Sequence, residues 1–195
     1  MSTPQNGDLH GNAPENSPTV ILIIDIINDF EFPGGDELIK HTEPVVNCIA
    51  ELRKKADSKK IPVIYVNDNF GKWQSDFRTL LKHCLTKTSK SRSLVGIIKP
   101  RRKDYFVLKP KNSGFYSTTL DLLLDYLKAE TLIITGLTAD VCILMTAADA
   151  FLRDYKLLVP SDCTASINAN DHQQALSYIK RVLRADTRPS DQIIF

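Results

Sequence analysis

The sequence predicts an α/β fold in which a parallel sheet is covered by helices on both of its faces. Three observations lead to this prediction. Short apolar runs alternate with longer segments of helical periodicity along most of the chain. These runs are rich in β-branched residues, as expected of strands that are buried on both faces. No internal repeat or linker divides the chain, so we expect one domain from residue 19 to residue 195.

The predicted strands and helices alternate in chain order. The strands are TVILIID (residues 19–25), IPVIYV (61–66), DYFVLK (104–109), TLIITG (131–136), YKLLVP (155–160) and a short sixth strand near ADTR (185–188). The predicted helices lie between them, at residues 36–58, 118–130, 140–154 and 170–185. Pro44 is typical of a first helical turn and indicates where the main part of the first helix begins.

The interval between the second and third strands is longer than the others. Residues 67–103 contain two segments of helical pattern, SDFRTLLKHCL (75–85) and RSLVGII (92–98). Long insertions at strand ends often cover an active site, whereas a decorative insertion is the alternative. We expect this excursion to select the substrate.

The composition is that of an ordinary globular protein of 195 residues, 43% hydrophobic and 25% charged. A net charge of +2 gives no reason to expect nucleic acid or an anionic membrane as a partner, and the basic run at 99–103 reads as surface. The first 18 residues are polar and rich in Pro, Asn and Gly, which predicts a disordered tail. No secretory signal or membrane span is recognisable, so we expect a cytoplasmic protein.

Several common signatures are missing from the sequence. It contains neither the Gly-rich motifs of nucleotide-binding loops nor the Gly-x-Ser-x-Gly motif of serine hydrolases. Its four cysteines form no Cys-x-x-Cys pair, so neither a zinc site nor a disulfide framework is predicted. Its four histidines lack the spacing of known metal motifs.

Polar residues follow four of the predicted strands at the same edge of the sheet. They are Asp25, the segment at 67–69, Lys109 and the segment that leads to Cys142. Ligands of parallel sheets bind beyond the carboxyl ends of the strands. We therefore predict a functional site at this edge.

Cys142 lies where the fourth strand is followed by a helix. A cysteine in a first helical turn meets unpaired backbone N–H groups and the positive end of the helix dipole. Both lower the pKa of a thiol and favour the nucleophilic thiolate, and the same N–H groups suit an oxyanion. The alternative is that Cys142 is a small hydrophobic core residue. Cys163 is a second candidate thiol, which we interpret as packing.

An aspartate and a lysine complete the predicted group. Asp25 ends an apolar strand, where an unpaired carboxylate would be costly to bury, or it caps the next turn. Lys109 ends the third strand and Lys111 would share its face, so the residues alone leave this choice open. An aspartate can accept the thiol proton and an ammonium can stabilise both anions, which activates a cysteine without histidine.

Three segments of the chain resemble the signatures of isochorismatase-like cysteine hydrolases, a family that includes nicotinamidases, N-carbamoylsarcosine amidohydrolase and isochorismatase. They are LIIDIINDF (22–30), VLKPKNSGF (107–115) and TGLTADVCILMTAADA (135–150). The resemblance runs from about residue 19 to residue 165. It implies a three-layer Rossmann-like fold with six parallel strands in the order 3-2-1-4-5-6, and a homodimer or homotetramer.

The resemblance also assigns catalytic roles. It implies that Asp25 is the general base, Lys109 the catalytic lysine and Cys142 the nucleophile. It further implies a cis peptide before Thr138 and an oxyanion hole made of the backbone N–H groups of Thr138 and Cys142. The predicted activity is hydrolysis of a C–N bond in a small amide or ureido compound without a cofactor. The alternatives are a vinyl-ether hydrolase in which Asp25 protonates the substrate, and a non-catalytic thiol protein that binds ligands or senses redox state.

The chain departs from the family pattern at two places. Ile27 stands where many members have glutamine. Nicotinamidases bind a metal through an Asp-x-His pair and a later histidine, whereas this chain has Asp68, Asn69 and Phe70, and His83 lies near but not at the later position. We therefore predict no catalytic metal, and nicotinamide is disfavoured as the substrate.

Four residues are predicted to contact the substrate. Phe30, Trp73 and Phe115 would pack against a planar compound, and Asn69 would orient it through its amide. The alternative is that Phe30 and Phe115 only support the site from the core.

Overall fold

The computed structural model describes residues 16–71 and 76–195. Its strands are β1 (Thr19–Ile24), β2 (Val63–Asp68), β3 (Tyr105–Lys109), β4 (Thr131–Leu137), β5 (Lys156–Leu158) and β6 (Thr164–Ala165). Its helices are α1 (Gly35–Ser58), α2 (Phe77–Cys84), α3 (Arg92–Ile97), α4 (Leu120–Leu127), α5 (Leu144–Phe151) and α6 (Ala169–Val182). A π-helical turn, Ala139–Ile143, runs directly into α5.

The strands form one parallel sheet, which confirms the predicted fold class. Five strands follow the predicted order β3-β2-β1-β4-β5. The short β6 is a strand that the sequence does not predict, and it pairs with the end of β4. The predicted sixth strand near residue 186 lies beside β5, as expected, but only as one parallel bridge between Asp186 and Leu158. The short β5 ends at Leu158, which leaves the last residues of β4 open to β6.

Helices cover both faces of the sheet, as the alternation of strands and helices requires. In β1, Ile21 and Ile23 point into one apolar cluster that is shared with α1, α2 and α3. Val20, Leu22 and Ile24 point into a second cluster, shared with α4, α5 and α6. Because successive side chains of a strand alternate between its faces, the uninterrupted apolar run of β1 fills both cores.

The folded part of the chain begins before the boundary predicted for the tail. The Ser17 backbone N–H donates to the Leu127 carbonyl at 2.9 Å, and the Pro18 carbonyl accepts from Glu130 and Thr131 at the start of β4. The rest of the predicted tail, residues 1–15, lies outside the described residues.

The excursion between β2 and β3 contains the two helices that the sequence predicts, α2 and α3. Asp76 caps α2 by accepting from the Thr79 backbone N–H at 2.8 Å. The α2 helix packs through Phe77 against Tyr65 of the sheet, with ring centroids 6.0 Å apart. This anchoring holds the excursion over the carboxyl end of β2.

Gly136 allows β1 and β4 to approach each other closely at the carboxyl edge. Its φ is +111°, and a Cβ built there would lie 2.0 Å from the Ile24 carbonyl oxygen. Only glycine fits this position without displacing a strand. The close approach brings the residue that follows β1 next to the turn that follows β4.

Candidate active site

Asp25, Lys109 and Cys142 come from three different strand ends. Asp25 follows β1, where its backbone N–H donates to the Val66 carbonyl and its φ of +49° turns the chain out of the sheet. Lys109 is the last residue of β3, and Cys142 lies in the π-helical turn after β4. Parallel strands align their carboxyl ends, so the fold brings these three distant residues together.

The three side chains contact one another. The Lys109 ammonium lies 2.8 Å from Asp25 Oδ2 and 3.4 Å from the Cys142 sulfur. Asp25 also lies close enough to Cys142 for its carboxylate to raise the pKa of the thiol. Lys109 is fully buried, and Asp25 is buried, whereas Cys142 is partly exposed. The sulfur is therefore the member of the group that an incoming molecule reaches.

Of the two lysines between which the sequence left the choice open, Lys109 is the one that contacts Asp25 and Cys142. Lys111, two residues beyond β3, is exposed and lines a different cavity, together with Ser113 and Asp149. The rival thiol Cys163 is fully buried, and burial raises its pKa. Neither side chain belongs to the described cluster.

The electrostatics of the cluster favour a protonated thiol. Burial raises the pKa of Cys142 to about 12, the neighbouring Asp25 carboxylate adds to the shift, and Lys109 opposes it. Burial also raises the pKa of Asp25, against the attraction of Lys109. Burial alone would lower the pKa of Lys109, but Asp25, Cys142 and Asp68 outweigh it and raise the pKa.

The raised pKa of Cys142 runs against the sequence-based expectation of a thiolate favoured by the helix dipole. One ammonium can balance one buried anion closely, and the carboxyl group is the stronger acid of the two. Lys109 and Asp25 form an ion pair, and the raised pKa of Cys142 favours the protonated thiol. Burial and the nearby Asp25 carboxylate both raise this pKa, which is the direction opposite to the effect of a helix dipole.

Asp68 is a member of this cluster that the sequence analysis did not assign to it. Its backbone N–H donates to Asp25 Oδ1 at 2.7 Å, and its carboxylate lies 3.4 Å from the Lys109 ammonium. In the sheet, Asp68 and Lys109 are direct partners in the register of β2 and β3. Its position just after a predicted strand was the feature of the sequence that could have identified Asp68 as part of the cluster.

The turn that carries Cys142 contains the peptide geometry that the resemblance implies. The bond between Leu137 and Thr138 is cis. The Thr138 carbonyl accepts from the Ile143 backbone N–H at 3.0 Å, which closes the turn. The first backbone N–H groups of a helix have no partner within it, so this turn can bind an anionic oxygen.

A second set of hydrogen bonds ties the segment after β3 to α5. The Ser113 hydroxyl contacts the Asp149 carboxylate, and the Gly114 backbone N–H donates to the buried Thr146 hydroxyl at 3.0 Å. Arg153 covers the Phe115 ring, with 4.6 Å between the guanidinium carbon and the ring centroid. These contacts fix the segment that follows Lys109 against the helix that follows Cys142.

The four residues predicted to bind substrate have different environments. Phe30 and Phe115 lie in the two apolar cores with 1% and 5% exposure, which favours the supporting role for both. Asn69 is 9% exposed, and its backbone N–H donates to the Lys109 carbonyl at 3.0 Å. Trp73 lies outside the described residues.

A cavity of about 450 Å³ lies beside the cluster, under the excursion. We call it the Asp68 cavity, and its lining includes Asp29, Glu31, Phe32, Asp68, Asn69 and His83. Asp29, Glu31 and His83 offer ligand atoms within 4.8 Å of one another, so these residues could hold a metal ion. They are not the positions at which the resemblance implies a metal.

None of the helices in the described part of the chain is long and apolar enough to cross a membrane.

Comparison with known proteins gives consistent matches. A family model described as the isochorismatase domain matches residues 19–187. The isochorismatase family protein YaaI of Bacillus subtilis strain 168 is 41% identical over 174 residues, which are 89% of this chain and 95% of that protein. Ureidoacrylate amidohydrolase RutB of Methylobacterium radiotolerans is 28% identical, with coverage of 86% and 75%. The crystal structure of N-carbamoylsarcosine amidase from Thermoplasma acidophilum matches with a TM-score of 0.68 and 27% identity, over 92% of this chain and 100% of that one.

Proposed function

The chain belongs to the isochorismatase family of hydrolases, and we propose that it hydrolyses a C–N bond of a small amide or ureido compound through a thioester on Cys142. Two relatives carry names of amide-cleaving enzymes, ureidoacrylate amidohydrolase and N-carbamoylsarcosine amidase. Membership of a hydrolase family argues against the non-catalytic alternative. The observation that carries the proposal is the contact of the Lys109 ammonium with both the Asp25 carboxylate and the partly exposed Cys142 sulfur.

In the proposed mechanism, Asp25 acts first as a general base. It takes the proton from the Cys142 thiol as the sulfur attacks the carbonyl carbon, and a C–S bond forms. Asp25 is then neutral, and the Lys109 ammonium stabilises the negative charge that develops on the sulfur and is passed to the carbonyl oxygen. The negative charge on the carbonyl oxygen is stabilised by the backbone N–H groups of Thr138 and Cys142.

The second half of the reaction restores the free enzyme. Asp25, now protonated, gives its proton to the departing nitrogen as the C–N bond breaks and leaves an acyl or carbamoyl thioester. The carboxylate then takes a proton from a water molecule that attacks the thioester carbon. The thiolate leaves and recovers that proton, so atoms and charges balance over the cycle.

A direct test is to measure ammonia release from a panel of small amides and ureas by the wild-type protein and by Cys142→Ala. Intact-protein mass spectrometry of a quenched reaction should detect the acyl adduct, and peptide mapping should place it on Cys142. Cys163→Ala is the matched control, because it removes a buried thiol outside the cluster, and it should keep the activity. Turnover by Cys142→Ala at the wild-type rate would refute the mechanism.

The second candidate is hydrolysis of a vinyl ether, in which Asp25 protonates the substrate and the thiol takes no part. The raised pKa of Asp25 is the observation that favours it, because a carboxyl group held closer to neutral pH is a better proton donor. Isochorismate turnover by Cys142→Ala at the wild-type rate, together with no ammonia release from amides, would support this candidate.

We also propose that the protein assembles as a homodimer or homotetramer. On α5 and just beyond it, Met145 is 45% exposed and Leu152 is 76% exposed, which is an unusual pair of apolar side chains to leave in water. Light scattering of the purified protein would measure the mass of the assembly, and a monomer would contradict this proposal.

A further inference from the structure

The Asp68 cavity is directly joined to the proposed catalytic group. Asp68 forms part of its wall, and the same side chain lies 3.4 Å from the Lys109 ammonium. The backbone N–H of Asp68 also holds Asp25. Asp25, Lys109 and Cys142 do not line the cavity, so a molecule whose carbonyl reaches Cys142 would have to extend past Asp68 to enter it.

One side chain in the cavity is ready to hold a polar group of a ligand. Asn69 is 9% exposed and lines the cavity. Its side-chain oxygen accepts a hydrogen bond from the Gly71 backbone N–H at 2.9 Å, so the amide nitrogen is the atom that can donate to a ligand. Among the described residues nothing accepts a hydrogen bond from that nitrogen. A donor in the wall of a cavity suits a carbonyl or ether oxygen of a bound molecule.

The charged side chains in the described wall of the cavity are mostly acidic. Three carboxylates, those of Asp29, Glu31 and Asp68, line it, and no lysine or arginine does so among the described residues. His83 is the single basic side chain in this wall, and it is already paired with Asp29 at 3.1 Å. The ammonium of Lys109, below the cavity, is held by Asp25 at 2.8 Å. A ligand entering the cavity therefore meets a negative potential.

Two aromatic rings flank this acidic wall. Phe32 is 37% exposed and Phe70 is 43% exposed, although both line the cavity. Phenyl faces attract cations as well as planar groups. Carboxylates and exposed rings together form a surface that suits an organic ammonium and disfavours a carboxylate.

We propose that the substrate is a small amide or ureido compound whose far end carries a cationic amine, and that Glu31, Asp29 and the two rings select this amine in the Asp68 cavity. The proposal rests on the proposed amidohydrolase function and adds the charge of the substrate. It separates this chain from relatives whose names denote carboxylate substrates, ureidoacrylate and N-carbamoylsarcosine.

The test uses three benzamides of similar size that differ in the charge of one substituent: 3-(aminomethyl)benzamide, 3-ethylbenzamide and 3-carbamoylbenzoate. Ammonia release gives kcat/KM for each compound. Calorimetric titration of the Cys142→Ala protein gives the binding order without turnover. Glu31→Gln removes one charge from the cavity, and Glu51→Gln, on the exposed surface of α1 and outside the lining, is the matched control.

We expect kcat/KM to be at least about tenfold higher for the ammonium compound than for the carboxylate, with the neutral compound between them. Glu31→Gln should narrow this ratio by about threefold or more, and Glu51→Gln should leave it unchanged. An equal or higher value for the carboxylate would overturn the proposal. That order would also follow if a divalent cation occupied Asp29, Glu31 and His83, because its charge would attract the carboxylate.

The binding titration separates the two proposals from each other. If no compound releases ammonia but the Cys142→Ala protein binds the ammonium compound at least tenfold more tightly than the carboxylate, the amidohydrolase function fails and the charge selection stands. If the ammonium compound shows no such advantage in binding, the charge selection fails, whatever the turnover.

Discussion

Replacement of Lys109 by methionine tests the electrostatic basis of the proposed site. The Lys109 ammonium and the Asp25 carboxylate are both buried, with 2.8 Å between Nζ and Oδ2. At an effective dielectric constant of about 20, two unit charges at that distance attract by about 6 kcal/mol. Since burial already raises the pKa of Asp25, loss of the ammonium should leave that carboxyl protonated at neutral pH.

The expected consequence is loss of the general base at pH 7. We expect kcat/KM for amide hydrolysis to fall by about 10²–10⁴-fold, the range that general base catalysis contributes. The sign of the pH effect follows from the raised pKa: activity requires the ionised carboxylate, so the acidic limb of the pH profile should move to higher pH. Ammonia release measured from pH 5 to pH 10 would record both effects.

Two further variants control this experiment. Lys111→Met removes an exposed lysine two residues away and should reproduce the wild-type profile within about twofold. Lys109→Met leaves the Asp25 and Asp68 carboxylates without their cation, and breaking a buried pair costs about 3–5 kcal/mol of folding free energy. The double variant Asp25→Asn/Lys109→Met should recover part of that loss in thermal unfolding. A Lys109→Met protein with an unshifted acidic limb would refute the electrostatic account.

Three other predictions follow from the site and its surroundings. Because the pKa of Cys142 is raised to about 12, its alkylation by iodoacetamide in the free protein should keep rising from pH 7 to pH 10, and a plateau below pH 8 would contradict the protonated thiol. Gly136→Ala should lower activity more than tenfold and reduce the melting temperature, because its Cβ would lie 2.0 Å from the Ile24 carbonyl oxygen. An unchanged melting temperature would show that β1 and β4 can move apart without cost. Gly96→Ala is the control for this variant, since no heavy atom lies within 4 Å of a Cβ built at that position in α3. It should be neutral in thermal unfolding or stabilise the protein by up to about 1 kcal/mol. Destabilisation by Gly96→Ala would contradict this expectation.

Local sequence patterns were sufficient for the fold class and for the prediction that Asp25, Lys109 and Cys142 lie together at one edge of the sheet. The β1 run at Val20–Ile24 is apolar at every position because both of its faces are covered, and this is visible without coordinates. Asp25 and Lys109 were identified because each follows such a run, and parallel strands align their carboxyl ends. The choice of Lys109 over Lys111 was different, since it required resemblance to a family and then the tertiary contacts.

The sixth strand and the helix at Cys142 mark where local patterns became ambiguous. The segment near Asp186 has the composition of a strand but forms only one bridge with Leu158. The segment from Ala139 to Ile143 has helical composition but forms a wide π-helical turn. Short elements of this kind depend on which neighbours are available for hydrogen bonding, and neighbours distant in the chain cannot be read from composition.

By itself, the sequence determined the parallel α/β architecture, the edge at which polar groups gather and the residue types that meet there. Only the tertiary structure decided that burial raises the pKa of Cys142, that Asp68 shares Lys109 with Asp25, and that Asp29 and His83 meet across 54 positions of the chain. The physical reason is the distance along the chain over which each property is set. Strand and helix periodicity arises between neighbours in sequence, whereas a pKa or a charged cavity depends on distances through space and on burial, which exist only after the chain has folded.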